Sequence, residues 1–165
     1  MNDEIYEAAI KNIPKKPSLI VFDFDGVFTN NKVYVFEDGR EAVVCNRGDS
    51  LGTNRLKTAG FNMFILTTER NAVVKSRGEK IGITVHDSCD DKAAFLKQYI
   101  SENSIAASHA IYVGNDTNDL EAMKLVGWPV CPADAHPEIK AISKLCLNKK
   151  GGDGAVRELC DLLTT

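Results

Sequence analysis

Five short apolar runs recur along the chain, each bounded by polar or turn-forming residues. They are Leu19-Ile20-Val21-Phe22, Phe61 to Leu66, Gly82 to His86, Ala110-Ile111-Tyr112-Val113 and Trp128-Pro129-Val130-Cys131, and each reads as a buried strand. Helical patterns alternate with them. Asp49-Ser50 is placed to cap a helix running to about Ala59, which Gly60 stops. A second helix is expected from about Asn71 to Lys80. A third runs from Asp90-Asp91-Lys92 through about Ser101, with Ala93, Phe95, Leu96 and Ile100 as its apolar positions. Shorter helices are expected at Leu120 to Leu125 and at Pro137 to about Ile142, and the last covers about Ala155 to Leu163. Val33 to Phe36 and Ala42 to Cys45 flank an Asp38-Gly39 turn and read as a hairpin, a flap over residues 30–46. Leu145 to Leu147 suits a small edge strand. The first 16 residues suggest a weak helix and a Pro-bounded linker. Strands alternating with helices predict an α/β, Rossmann-like parallel sheet covered on both faces, in a single domain over residues 1–165.

The spacing leaves no room for an inserted lid. The 42 residues from Asp25 to Thr67 are used by the hairpin, one helix and one strand. The 25 from Thr67 to Lys92 are used by one helix and one strand. Any site at the strand ends is therefore open, or is covered by a neighbouring subunit. The glycine-rich loop 148–154 reads as flexible and as a candidate cover. On that view, removing the residues after Asn148 would raise KM more than it harms folding.

Composition narrows the classes. The net charge is −3, both signs are mixed, and no basic cluster marks a nucleic-acid footprint. No run reaches membrane-spanning length and no signal-peptide pattern opens the chain, so a cytoplasmic protein is expected. The five cysteines are scattered without a C-x-x-C pair, which fits reduced thiols, and the three histidines read as structural.

The candidate chemistry lies just past the strands. In the extended Asp23-Phe24-Asp25-Gly26, side chains two apart leave on the same side, at the strand end where open α/β sheets bind ligands. Two carboxylates so close call for a cation, and Mg²⁺ accepts such oxygens; an acidic turn is the plainer reading. Asp23 is then a candidate nucleophile and Asp25 a candidate general acid/base. Thr67 and Thr68 can bind a phosphoryl oxygen or cap the next helix. Lys92 opposes the dipole of its own helix, which hints at a task, although a solvated lysine would look the same. Asn115-Asp116-Thr117-Asn118-Asp119 is a second oxygen-rich cluster. It reads either as metal ligands or as a cap with an acidic first turn, and Asp119 suits a local capping role.

These four clusters, in this order, resemble the haloacid dehalogenase (HAD) superfamily of phosphatases. Further residues are similar to its small lidless branch, which includes the 3-deoxy-D-manno-octulosonate 8-phosphate (KDO 8-phosphate) phosphatases, the nonulosonate 9-phosphate phosphatases and a domain attached to some acylneuraminate cytidylyltransferases. They are Phe28-Thr29-Asn30, Asp49-Ser50-Leu51-Gly52, Pro132-Ala133-Asp134-Ala135 and Gly151-Gly152-Asp153-Gly154-Ala155-Val156-Arg157-Glu158. The resemblance implies that Asp23 attacks phosphorus to give an aspartyl-phosphate, that Asp25 serves the leaving oxygen and then water, and that Thr67 and Lys92 hold the phosphoryl group. It implies Mg²⁺ on Asp23, the Asp25 carbonyl, Asn115 and Asp116. It also implies a homotetramer whose subunits close one another's sites. Asn115 departs from the usual Asp, and would carry no charge to the metal. Thr68-Glu69-Arg70 differs from the octulosonate pattern and leans towards a nine-carbon acid sugar phosphate. Arg70, Lys149, Lys150 and Arg157 are candidates for the substrate's charged groups. The other function implied is a non-catalytic module that helps a cytidylyltransferase oligomerise.

Overall fold

The apolar run Leu19–Phe22 forms β1, the strand from which the sheet builds outward in two directions. The computed structural model describes residues 3–164, so the first two positions and the last of the expected domain lie outside it. Helix α1 (Asp3–Asn12) leads into β1, and a hairpin of β2 (Thr29–Val35) and β3 (Glu41–Cys45) comes next. Then come α2 (Arg47–Thr58), β4 (Met63–Leu66), α3 (Ala72–Ile81), β5 (Thr84–His86), α4 (Lys92–Glu102) and β6 (Ala110–Val113). A 3₁₀ turn (Thr117–Asp119) feeds α5 (Leu120–Met123), and β7 (Trp128–Cys131), α6 (Pro137–Ile142), β8 (Leu145–Cys146) and α7 (Ala155–Thr164) complete the chain.

The six-stranded sheet has the order β5-β4-β1-β6-β7-β8, and every neighbouring pair is parallel. The chain winds from β1 to β4 and β5 on one side, then crosses back to β6, β7 and β8 on the other. The carboxyl ends of β1, β4 and β6 therefore flank a topological switch point, where such sheets open a crevice. Period-two alternation splits the core. Ile20, Phe22, Ile65 and Val113 pack on the face with α2 and α7, whereas Leu19, Val21, Phe64 and Tyr112 pack on the face with α4 and α6. Among the described residues no helix is long and apolar enough to cross a membrane. All five cysteines are free thiols.

Three local expectations are overturned. Helix α2 starts three residues early, because Asn46 and not Asp49 caps it, accepting from the Gly48 N–H at 2.7 Å. Helix α3 is capped by Asn71 rather than by Thr67 or Thr68, since Glu69 Oε1 takes the Arg70 and Asn71 N–H groups and turns the chain there first. The loop after Asn148 is anchored, not loose. The Gly151 N–H donates to Asp134 Oδ1 and the Gly152 N–H to the Val27 carbonyl. A Cβ on Gly151 would lie 1.9 Å from the Gly26 oxygen, so glycine there permits close approach. The adjoining α7 buries Ala155, Val156, Leu159, Cys160 and Leu163, so it belongs to the core and cannot be trimmed without harm to folding.

Candidate active site

The parallel ladder continues one residue past each apolar run, to Asp23 after β1, Thr67 after β4 and Gly114 after β6, with Asn115 next. The Asp23 N–H donates to the Val113 carbonyl (2.8 Å), Thr67 N–H to His86 (3.0 Å) and Gly114 N–H to Val130 (3.1 Å). The chain then turns sharply. Gly26 has φ +75°, and a Cβ there would meet the Asn115 side chain at 2.0 Å, so the turn after Asp25 and the loop after β6 lie in contact. Together these ends line a polar cleft of about 350 Å³ that includes Asp23, Asp25, Thr67, Thr68, Asn115 and Asp116.

Lys92 lies beneath the cleft. It is 2 % exposed, which removes the solvated-lysine reading. Its ammonium donates to Asp23 Oδ1 at 2.8 Å and to Asp119 Oδ1 at 2.7 Å. Asp119 is fully buried and makes no cap for α5. Instead it accepts from Lys92, from the Tyr112 hydroxyl at 2.9 Å and from the Asn115 N–H at 3.0 Å. Its carboxylate thus ties α4, β6 and the loop after β6 together, a role that its capping-like position in sequence conceals. Asp116, not Asp119, caps the 3₁₀ turn, accepting from the Thr117 N–H at 2.7 Å while staying exposed at the cleft's edge.

The electrostatics derive from burial. Desolvation, and then the Asp119 charge, push Asp23 up to about 7 against the pull of Lys92. Burial alone would pull Lys92 down, but Asp23 and Asp119 together carry it above its ordinary value. The cluster is therefore a buried lysine shared by two carboxylates. Burial also raises Asp25, opposed by the Thr29 hydroxyl, which donates to Asp25 Oδ1 at 2.9 Å. Thr29 is fully buried and accepts from the N–H groups of Gly26 and Asn31, so it fixes the Asp25 carboxyl. In the sequence Thr29 stands out only as part of the Phe28-Thr29-Asn30 likeness, which gives it no role. Thr67 is 2 % exposed; its oxygen accepts from the Glu69 N–H at 3.1 Å, which leaves the hydroxyl proton to donate into the cleft.

The donor set suits a small hard cation. One edge of the Asn115 amide lies 2.8 Å from the Asp25 main-chain oxygen and 3.2 Å from Asp23 Oδ2, while Lys92 engages the other Asp23 oxygen. One carboxylate, one carbonyl and one amide leave positions for water, as Mg²⁺ prefers. Among the described residues no three His, Cys, Asp or Glu side chains gather at one metal point, so the fit depends on the carbonyl and the amide.

The remaining candidates divide. Glu69 lines both this cleft and an adjoining one of about 250 Å³ between the hairpin and the β4–α3 loop, with Asn31, Lys32, Glu41 and Asn71. Hairpin residues thus line this second pocket, and the Asn71 amide donates to Glu41 Oε2 at 2.9 Å. Arg70 points away into an exposed pair with Asp90. Lys149 and Arg157 line a separate groove with Asn46 and Gly48, and Arg157 pairs with Asp161. Within the chain, then, Asp23, Asp25, Thr67, Thr68, Glu69, Lys92, Asn115 and Asp116 come together, and Arg70, Lys149 and Arg157 do not.

Comparison with known proteins agrees with this geometry. Residues 53–159 match the model of the haloacid dehalogenase-like hydrolases. The 3-deoxy-D-manno-octulosonate 8-phosphate phosphatase of Escherichia coli K12 is 32 % identical over 146 residues, covering 88 % of this chain and 78 % of that protein. A structure from Streptomyces avermitilis, named only as a HAD-family hydrolase, shares 42 % identity with TM-score 0.87, covering 90 % of this chain and 86 % of that one. The Moraxella catarrhalis KDO 8-phosphate phosphatase, solved with magnesium, phosphate and KDO, shares 30 % identity with TM-score 0.86, covering 99 % and 91 %. The chain belongs to the haloacid dehalogenase-like hydrolases and, within them, to the branch of phosphoric monoester hydrolases that resembles the KDO 8-phosphate phosphatases.

Proposed function

We propose that the chain is a Mg²⁺-dependent phosphatase of an ulosonic acid sugar phosphate, either KDO 8-phosphate or a nine-carbon 9-phosphate, acting through an aspartyl-phosphate on Asp23. The observation that carries this reading is the division of the Asp23 carboxylate, with Oδ1 held by the buried Lys92 and Oδ2 turned to the cleft beside the Asp25 carbonyl and Asn115. Lys92 keeps Asp23 oriented and counters negative charge as a phosphoryl group approaches. Bound Mg²⁺, held by Asp23, the Asp25 carbonyl, Asn115 and Asp116, would supply charge neutralisation at the phosphoryl oxygens. Thr67 donates its hydroxyl proton to one of those oxygens. Asp25, fixed in place by the Thr29 hydroxyl, is the general acid to the leaving sugar oxygen, a role that burial of its carboxyl favours. The oxygen of Asp23 bonds to phosphorus as the ester P–O bond breaks. Asp25, now ionised, takes a proton from water, whose oxygen bonds to phosphorus and releases phosphate and Asp23.

The adjoining pocket suits a polyhydroxylated leaving group. Its amides and carboxylates at Asn31, Asn71, Glu41 and Glu69 can exchange hydrogen bonds with hydroxyls. Lys32 is its one cation among the described residues, so the sugar carboxylate calls for further positive charge. A neighbouring subunit can supply it through Lys149, Lys150 or Arg157. The hairpin offers the contact surface: Val33, Tyr34, Val35, Phe36 and Val44 are all exposed, Tyr34 at 64 % and Val35 at 68 %. We therefore infer a homo-oligomer, tetrameric as in the branch it resembles. The free thiols support a cytoplasmic setting.

One observation favours the other reading, a non-catalytic assembly module. Asn115 brings the metal no charge. Phosphate release from a panel of eight- and nine-carbon ulosonic acid phosphates, with and without Mg²⁺, separates the two. The phosphatase reading expects Mg²⁺-dependent turnover of at least one; no turnover on any, with metal saturating, would favour the module.

A further inference from the structure

Asn115 occupies a point where only one orientation of its amide is comfortable without a cation. The residue is 8 % exposed, and its main chain is fixed by the N–H bond to Asp119. The inward edge of the amide lies 2.8 Å from the Asp25 carbonyl oxygen and 3.2 Å from Asp23 Oδ2. Both neighbours only accept hydrogen bonds when Asp23 is ionised. With its oxygen inward, the amide completes a cluster of three oxygens that needs a cation among them. With its nitrogen inward, it donates two hydrogen bonds and the cluster is satisfied as it stands. A half-turn about the last side-chain torsion exchanges the two states, because the amide's oxygen and nitrogen have nearly the same shape. The outward half sits over Gly26, where the missing Cβ leaves space for either atom.

We propose that Asn115 is a two-state amide: its NH₂ takes the cation's place in the metal-free protein, and its oxygen turns inward as a ligand when Mg²⁺ binds. The proposal rests on the reading of this site as a divalent-cation site. An aspartate at 115 would set another carboxylate against Asp23 and the Asp25 carbonyl, already close to the buried Asp119, with Lys92 as the cation paired to both existing carboxylates. Like charges at this range repel strongly in a buried site. Asparagine therefore preserves the shape of the Asp23–Asp25 turn without metal, and gives up part of the metal affinity that another charge would bring.

The test compares the wild-type protein with Asn115→Asp, using thermal melts of the metal-free proteins and calorimetric titration with MgCl₂. The variant is expected to melt lower than wild type without metal, to bind Mg²⁺ at least about tenfold more tightly, and to recover wild-type stability when Mg²⁺ saturates. In wild-type protein, the Asn115 side-chain NH₂ resonances should exchange slowly with solvent in the metal-free state. Mg²⁺ should shift them and speed their exchange. Equal metal-free stability together with equal or weaker Mg²⁺ binding by the variant would overturn the proposal. So would side-chain amide resonances that do not move although calorimetry shows Mg²⁺ bound to wild type, and that result leaves the metal site itself intact. Absence of Mg²⁺ binding by both proteins would instead remove the cation site, and the proposal with it.

Discussion

Replacing Asp119 with asparagine removes one charge from the interior and changes the volume hardly at all. The carboxylate accepts three hydrogen bonds, from Lys92 Nζ at 2.7 Å, the Tyr112 hydroxyl at 2.9 Å and the Asn115 N–H at 3.0 Å. An amide cannot accept on both edges. If its oxygen faces Lys92 and Tyr112, its NH₂ opposes the Asn115 N–H; if it turns over, its NH₂ opposes the Lys92 ammonium. Either way a buried donor loses its partner, which costs about 1–3 kcal/mol, and the charge-assisted bond to Lys92 is weakened as well. Breaking one side of a buried ion pair commonly costs about 3–5 kcal/mol, so about 3 kcal/mol is the expected loss. For a domain of this size that lowers Tm by about 6–12 °C. Part of the same loss falls on the Asn115 loop, so kcat should drop by up to about a hundredfold. Calorimetry and phosphate release measure the two effects. Asp38→Asn is the control, because its pair with Arg40 is exposed and contributes at most about 1 kcal/mol. An Asp119→Asn protein that melts within about 2 °C of wild type would show that Asp119 does not hold the buried lysine.

Other expectations rest on the same physics. Asp49 is fully buried with Oδ2 unpartnered among the described residues, and burial pushes its carboxyl up to about 6 despite the Arg157 N–H and the Arg77 charge. Its contribution to stability is full below the unfolded value near 3.8 and is lost as pH rises through about 6, amounting to about 3 kcal/mol at about 1.4 kcal/mol per pH unit. Asp49→Asn should therefore gain on wild type in denaturant titrations between pH 4 and 7, and parallel pH profiles would contradict this. Tyr34→Lys combined with Val35→Lys should yield monomers by light scattering with the fold retained; an unchanged assembly would dismiss the hairpin as the contact surface. Truncation after Asn148 removes the core residues of α7, among them Val156, Leu159 and Leu163, each worth about 1.5–3 kcal/mol of burial. That sum rivals the whole stability of a typical domain, so circular dichroism should find the truncated chain unfolded.

Some features were legible in the sequence and others were not, and particular residues show why. The strands were, because four-residue runs such as Leu19–Phe22 and Ala110–Val113 have no other reading between polar turns. The cleft was, because Asp23 and Thr67 directly succeed such runs and Asn115 lies one glycine beyond another, so finding the strands finds them. Lys92 left a trace in its poor fit to a helix start, but its partner did not. A buried carboxylate and a capping one look alike in sequence, and only the fold of β6 against α4 shows that Asp119 faces inward. The loop 148–154 misled for a related reason. Its glycines suggest freedom, whereas Gly151 and Gly152 are there to lie against the Gly26 and Thr29 backbone. Arg70, Lys149 and Arg157 were chosen by charge, and charge does not say which cleft a side chain reaches.

Phosphate release by Asp23→Asn decides whether the divided carboxylate is the nucleophile. The variant keeps the side-chain volume and an oxygen for Lys92, so the fold should be retained while the charge and nucleophilicity are lost. The expected result is a folded protein with turnover at background on every ulosonic acid phosphate that the wild type hydrolyses. Turnover well above background in that folded variant would take the nucleophile's role away from Asp23.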